Sequence, residues 1–207
     1  MRLWVIAIAL GLVGASAVLW VQTATPSMAR AEAAPNVVRA TALPSAARQN
    51  RVLLSNAQLS DALRSGSIDR PVESLLRVNA PMHFGEYQWD DVGVPKGATW
   101  VRIDLRTQLI SVFRAGHEIG TAVIVYGGDN KETPVGRLHI LAKARDHRSS
   151  LYEAEMPYTL RLTNDGVSIH ASDVRWGAAT HGCIGVPLAF ARRLYDATGI
   201  GDEVLII

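Results

Sequence analysis

Hydrophobic and polar positions fall into three regimes along the chain. The first is an unbroken apolar stretch: after Met1-Arg2, residues Leu3 to Val21 are apolar or small and carry no charge. Gln22-Thr23-Ala24-Thr25-Pro26 and the small-residue run Ala29-Arg30-Ala31-Glu32-Ala33 follow it. A positive start, a long apolar run and small-x-small positions predict an export segment over residues 1–33, either a cleaved signal peptide or a retained membrane anchor. Residues 34–52 continue in Ala, Pro, Ser and Arg with no sustained period, which predicts a flexible linker.

The second regime has helical spacing. Ser55-Asn56-Ala57-Gln58 carries the Ser-x-x-Gln capping-box pattern, Leu59, Ala62 and Leu63 share a face, and Gly66 stops the run. Asp69 followed by Pro71, Val72, Leu75 and Leu76 predicts a second short helix. Residues 53–98 are therefore expected to form a short helical prefix.

The third regime, residues 99–207, alternates with a period of two. Val101, Ile103 and Leu105 alternate with Arg102 and Asp104, predicting a half-buried strand. Strands are expected at Leu109–Phe113, Ile119–Tyr126, Leu138–Leu141, Val167–His170 and Val204–Ile207, with turn chemistry at Gly127–Asn130 and Thr133–Gly136. One helix is expected from Pro187 to Ala197, carrying Leu188, Ala191, Leu194 and Tyr195 on one face and ending at Gly199. The pattern predicts a mainly β fold of sheet-on-sheet type with one or two short helices.

Composition adds two restrictions. A net charge of +2, scattered along 207 residues, provides no basic stripe with interleaved aromatics, which argues against nucleic-acid binding. A single cysteine excludes an internal disulfide framework.

That cysteine sits in the most informative segment: Val167-Ser168-Ile169-His170, a loop with Arg175-Trp176-Gly177, then Thr180-His181-Gly182-Cys183-Ile184-Gly185-Val186. Acyl transfer by a thiol needs an imidazole to take its proton, donors for the oxyanion, and a glycine that lets the backbone approach closely. His170 at a strand end and Cys183 at a loop-to-helix junction meet that description. Two other readings remain open on spacing alone. Cys183 can be an inert core residue, or it can join the histidines on zinc, for which one cysteine and a His-x-Cys pair make a poor donor set. His83, His117, His139 and His147 show no partner spacing, and Trp89 and Trp100 read as packing residues.

Ile169-His170 followed by Thr180-His181-Gly182-Cys183-Ile184 resembles the active-site signature of the L,D-transpeptidase (YkuD-type) family. Val101-Arg102-Ile103-Asp104-Leu105 with Gln108 resembles that family's opening strand and turn, Thr133-Pro134 with Gly136 its Thr-Pro-x-Gly loop, and Met156-Pro157-Tyr158 its Met-Pro-Tyr segment. The Leu194-Tyr195 helix resembles its post-cysteine helix. The resemblance covers roughly residues 99–207, in the family's order. It implies an L,D-transpeptidase-type β-sandwich and a cysteine-dependent enzyme acting on peptidoglycan stem peptides as donor and acceptor. No metal or organic cofactor is implied, and the site of action is the periplasm or cell envelope.

The resemblance implies Cys183 as nucleophile, His170 as general base with its ring oriented by a backbone carbonyl such as that of Ala171, and His181 beside the nucleophile. It implies the amides of Gly182 and Cys183 as the oxyanion hole, and Tyr158, Arg175, Thr180 and Gly185 as substrate-binding positions. Gly185 departs from the Arg or Asn usual two residues after the cysteine, and Arg175 is the candidate to replace that charge. The loop from His170 to Thr180 is short for the family. The same site would also serve an L,D-carboxypeptidase, an attachment of protein to the wall, or, without catalysis, a peptidoglycan-binding module.

Overall fold

The computed structural model describes residues 43–128, 131–149 and 153–207. The predicted export segment and residues 34–42 of the predicted linker lie outside these residues. Among the described residues, no helix is long and apolar enough to cross a membrane.

In chain order the elements are α1 (Ser45–Arg48), β1 (Arg51–Leu53), α2 (Asn56–Arg64), β2 (Ser74–Leu76), β3 (Tyr87–Trp89), β4 (Thr99–Asp104), β5 (Leu109–Arg114) and β6 (His117–Val123). They continue with β7 (Gly136–His139), β8 (Ala142–Ala144), β9 (Thr159–Arg161), β10 (Ser168–Ala171), β11 (Ile184–Val186), α3 (Leu188–Ala197) and β12 (Glu203–Ile206). Among the described residues eight strands form one sheet, ordered β1-β2-β6-β5-β4-β12-β7 with β3 also paired to β6. Four strands form a second sheet in the order β11-β10-β9-β8.

The two sheets enclose a common core. Val101, Ile103, Ile110, Val112 and Ile119 of the larger sheet meet Leu160, Ile169, Ile184 and Val186 of the smaller one, with Phe190 and Leu194 of α3. Period-two alternation delivers these residues to one face. On the other face of the larger sheet Trp100 stacks on Phe113 with ring centroids 4.2 Å apart, and Ile68, Val72, Leu59 and Ala62 pack around them. Every residue of β6 is therefore buried. The mainly β sandwich expected from the pattern is the observed architecture.

The region before residue 99 departs from the expected helical prefix, since β1, β2 and β3 all join the larger sheet. Helix α2 forms where expected, with Ser55 and Gln58 completing the reciprocal cap. The second expected helix is absent: residues 74–76 form β2, on the edge of β6, where Ser74 registers with His117. Asp69 does not cap a helix because its carboxylate accepts from Arg70 and, at 2.7 Å, from Arg137. The expected linker is also ordered at its end. Leu43 and Ala47 are 5% and 2% exposed and pack into the main core beside Val94. Arg51 is buried, donating to the carbonyls of Glu118 and Asp90.

Candidate active site

The site is built on β10 and its two neighbours. All of β10 is buried; it pairs antiparallel with β9 and parallel with β11, in the register Ile169↔Ile184, His170↔Gly185 and Ala171↔Val186. Cys183 immediately precedes β11, so a strand separates it from α3, and the loop-to-helix junction expected from the sequence is a loop-to-strand junction. A three-residue strand is too short to show a period, and Gly185 interrupts its apolar run.

Three contacts fix the turn before Cys183. The Thr180 hydroxyl donates to the Cys183 carbonyl at 2.5 Å. The Thr133 hydroxyl donates to the Gly182 carbonyl at 3.1 Å and accepts from the Gly127 amide at 2.9 Å. Gly182 has φ +96°, and a Cβ on Gly127 would lie 2.2 Å from the Lys131 carbonyl and 2.8 Å from Gly182 Cα. Only glycine allows that backbone crossing and that positive φ. Both threonines engage carbonyls, and the amides of Gly182 and Cys183 have no hydrogen-bond acceptor among the described residues.

Cys183 is half-buried, with Sγ 3.9 Å from the Gly166 carbonyl. Burial pushes its thiol above the ordinary cysteine value; a hydrogen bond from the Ser168 backbone and the charge of Lys131 act in the opposite sense. His170 is 8% exposed, and its Nδ1 lies 2.8 Å from the Ala171 carbonyl. A carbonyl can only accept, so Nδ1 carries the proton and the neutral ring keeps its lone pair on Nε2. Burial holds the His170 pKa below the usual histidine value, so this neutral form is the resting one.

Cys183 opens into a cavity of about 480 Å³ lined also by Lys131, Lys143, His147, Arg161, Asp165, Ser168 and His181. Exposed His181 thus shares the lining with the thiol, whereas His170 is buried and not part of it. Lys131 and Asp165 face each other at 3.3 Å. His147 lowers the His170 pKa by its charge. His147, Lys131 and Arg161 were not legible as cavity-lining residues, since they come from separate segments that only the folded chain gathers.

The four substrate-binding candidates fare differently. Thr180 spends its hydroxyl on the turn before Cys183. Tyr158 packs against Tyr195 with centroids 5.8 Å apart and lines a different cleft, with Tyr87, Leu188 and Arg192. Arg175 is three-quarters exposed and pairs with Asp173 at 3.2 Å, outside the cysteine cavity. Gly185 is buried; it exchanges two backbone hydrogen bonds with Val125, and a Cβ there would lie 2.7 Å from Ser172 Cβ and Val125 Cγ2. Among the described residues, no group of three or more His, Cys, Asp or Glu side chains is placed to hold a metal ion.

The profile of the L,D-transpeptidase catalytic domain (YkuD) matches residues 98–206, more than half of the chain. Among solved structures, an L,D-transpeptidase from Stackebrandtia nassauensis is 25% identical with a TM-score of 0.49, over 55% of this chain and 57% of that one. The LD transpeptidase LdtMt1 in complex with imipenem is 24% identical with a TM-score of 0.49, over 53% of this chain and 59% of that one. An L,D-transpeptidase from Mycobacterium smegmatis is 17% identical with a TM-score of 0.50, over 59% of this chain and 76% of that one. The chain thus spans less than two thirds of the first two. No curated protein matches the sequence.

Proposed function

Because the chain belongs to the L,D-transpeptidase catalytic domain family, we propose that it is a cysteine acyltransferase that cross-links peptidoglycan stem peptides outside the cytoplasm. Cys183 is the nucleophile and His170 the general base. The observation that carries this reading is the His170 Nδ1 bond to the Ala171 carbonyl, on a strand paired directly to the one that Cys183 leads. It leaves Nε2 as the basic nitrogen, on a ring that burial keeps neutral.

A thiol raised by burial is protonated at neutral pH, so it needs a base at the moment of attack. His170 takes the Sγ proton as sulfur adds to the carbonyl of an L,D-peptide bond in the donor. The oxyanion is held by the amides of Gly182 and Cys183. The imidazolium returns its proton to the departing D-residue amine, which leaves a thioester on Cys183. An acceptor amine attacks the thioester, His170 removes its proton, and the thiol is regenerated as the cross-link forms. His181, in the cavity lining, contacts the substrate.

The test is mass spectrometry of the full-length chain with tetrapeptide-stem muropeptides, beside Cys183→Ala and His170→Ala. Wild type is expected to give cross-linked dimer or released terminal D-residue. Cys183→Ala abolishes both, and His170→Ala slows them by about 100-fold or more. Imipenem, present in the LdtMt1 structure, should add its mass to the wild type and not to Cys183→Ala. Wild-type protein that leaves the muropeptides unchanged and takes up no imipenem would refute the proposal.

A further inference from the structure

The turn and the base account for bond making and breaking, but they leave open which charge in the cavity holds the donor. Gly185 has no room for a cationic side chain between Ser172 and Val125. Arg175 is engaged with Asp173 in solvent. The charge must therefore come from another part of the cavity wall.

The cationic side chains of the lining differ in what they already hold. Lys143 donates through Nζ to the Tyr195 carbonyl at 2.6 Å and to the Thr198 carbonyl, closing the C-terminal end of α3, so its stem rather than its charge serves the cavity. Lys131 is paired with Asp165 at 3.3 Å. Arg161 is exposed at the end of β9 and lines the cavity. Among the described residues its guanidinium has no hydrogen-bond or ion-pair partner. Its position is defined from both sides, in register with Ala142 of β8 and Ser168 of β10. Ser168 is the residue whose backbone hydrogen-bonds the Cys183 sulfur, and cross-strand partners present their side chains on the same face.

We infer that Arg161 is the specificity-determining residue that binds a carboxylate of the acyl donor beside Cys183. This inference rests on the proposed acyl transfer. The planar fork of a guanidinium takes both oxygens of a carboxylate at once, which fixes orientation as well as charge. A stem-peptide donor can offer that carboxylate on the terminal D-residue, which leaves, or on the side chain of the residue whose carbonyl forms the thioester.

The experiment measures kcat and KM for the full-length chain and its Arg161→Gln and Arg161→Lys variants. Three donor tetrapeptides are compared: one with free carboxylates, one amidated at the terminus and one amidated at the side chain. Arg161→Gln should raise KM for the free donor by about 10- to 100-fold. It should also erase the wild-type discrimination against one of the two amides, and that amide identifies the carboxylate bound. Arg161→Lys should restore part of the discrimination, since it keeps the charge without the fork. An Arg161→Gln variant that discriminates against both amides as wild type does would overturn the inference.

A wild type that turns over no donor defeats the acyl-transfer reading instead. Calorimetric binding of the free-carboxylate peptide to Cys183→Ala and to Cys183→Ala/Arg161→Gln then decides the arginine separately. A tenfold or greater weakening in the double variant supports it, and equal affinities overturn it.

Discussion

At Gly185 the backbone amide and carbonyl are both bonded to Val125, and the space a Cβ would take is filled by Ser172 and Val125. The sequence marks this position as a departure from the family's usual Arg or Asn, and the natural reading is a lost substrate contact. Burial gives it another meaning: the glycine lets β11 lie against Val125 on one side and β10 on the other. Restoring the expected residue should therefore damage the protein. Gly185→Arg is expected to lower unfolding free energy by about 3 kcal/mol or more, from overpacking and an unpaired buried charge. Urea unfolding followed by circular dichroism checks this, and a midpoint equal to wild type would mean that β11 can move aside. The Thr-His-Gly-Cys turn was legible as a motif. The Thr133 bonds that hold it were not, because Thr133 reaches Gly127 and Gly182 from a loop remote from the cysteine in sequence.

Among the elements, β4 and β5 are legible because each is long enough to alternate and has one face on the core. β8, β9 and β11 have three residues each, which is too few for a period, and their pairing is set by neighbours the sequence does not bring close. The prefix conceals its strand for a related reason. Leu75 and Leu76 fit a helical stripe as well as a strand, and the exposed edge of β6 decided for the strand.

The short α1 also has a structural role that its Ala-rich sequence does not announce. Leu43 and Ala47 fill a core position beside Val94, and Gly93 faces Pro44 and Ala47 so closely that a Cβ there would lie 3.0 Å from Ala47 Cβ. A chain that starts at residue 51 should be less stable than one that starts at residue 40 by about 2–3 kcal/mol, roughly the value of one buried leucine and its neighbour. Differential scanning calorimetry of the two truncations tests this, and identical melting temperatures would show that α1 adds nothing to the fold.

For the molecule as a whole, several titratable groups are buried at distant points, so protons are linked to folding. His117, whose Nδ1 meets Ser74 Oγ at 2.9 Å, and His170 both have pKa values held below 6.5 by burial. As pH falls through 6.5 the unfolded chain takes up protons that the folded one refuses, so stability declines on acidification through that window. Glu118 acts in the opposite sense. Burial raises its carboxyl above 4.5, so the folded chain holds the extra proton and loses stability as pH rises through that shifted value. Removing one histidine should therefore isolate its share. His117→Gln keeps a hydrogen-bonding group for Ser74 and cannot titrate. Its melting temperature is expected to fall less than that of wild type between about pH 7.5 and about pH 5.5; an equal fall would show that His117 takes no part.

His170 stands on β10 and Cys183 immediately before β11, so their spacing is set by the β10–β11 ladder, not by the chain that links them. That link passes through Arg175, three-quarters exposed, and Trp176, 84% exposed. The piece after Arg175 carries β11, α3 and β12, and β12 is inserted between β4 and β7. Cut at Arg175, the polypeptide should behave as a complementation pair: one fragment carries His170, the other Cys183, and insertion of β12 between β4 and β7 would bring the two together again.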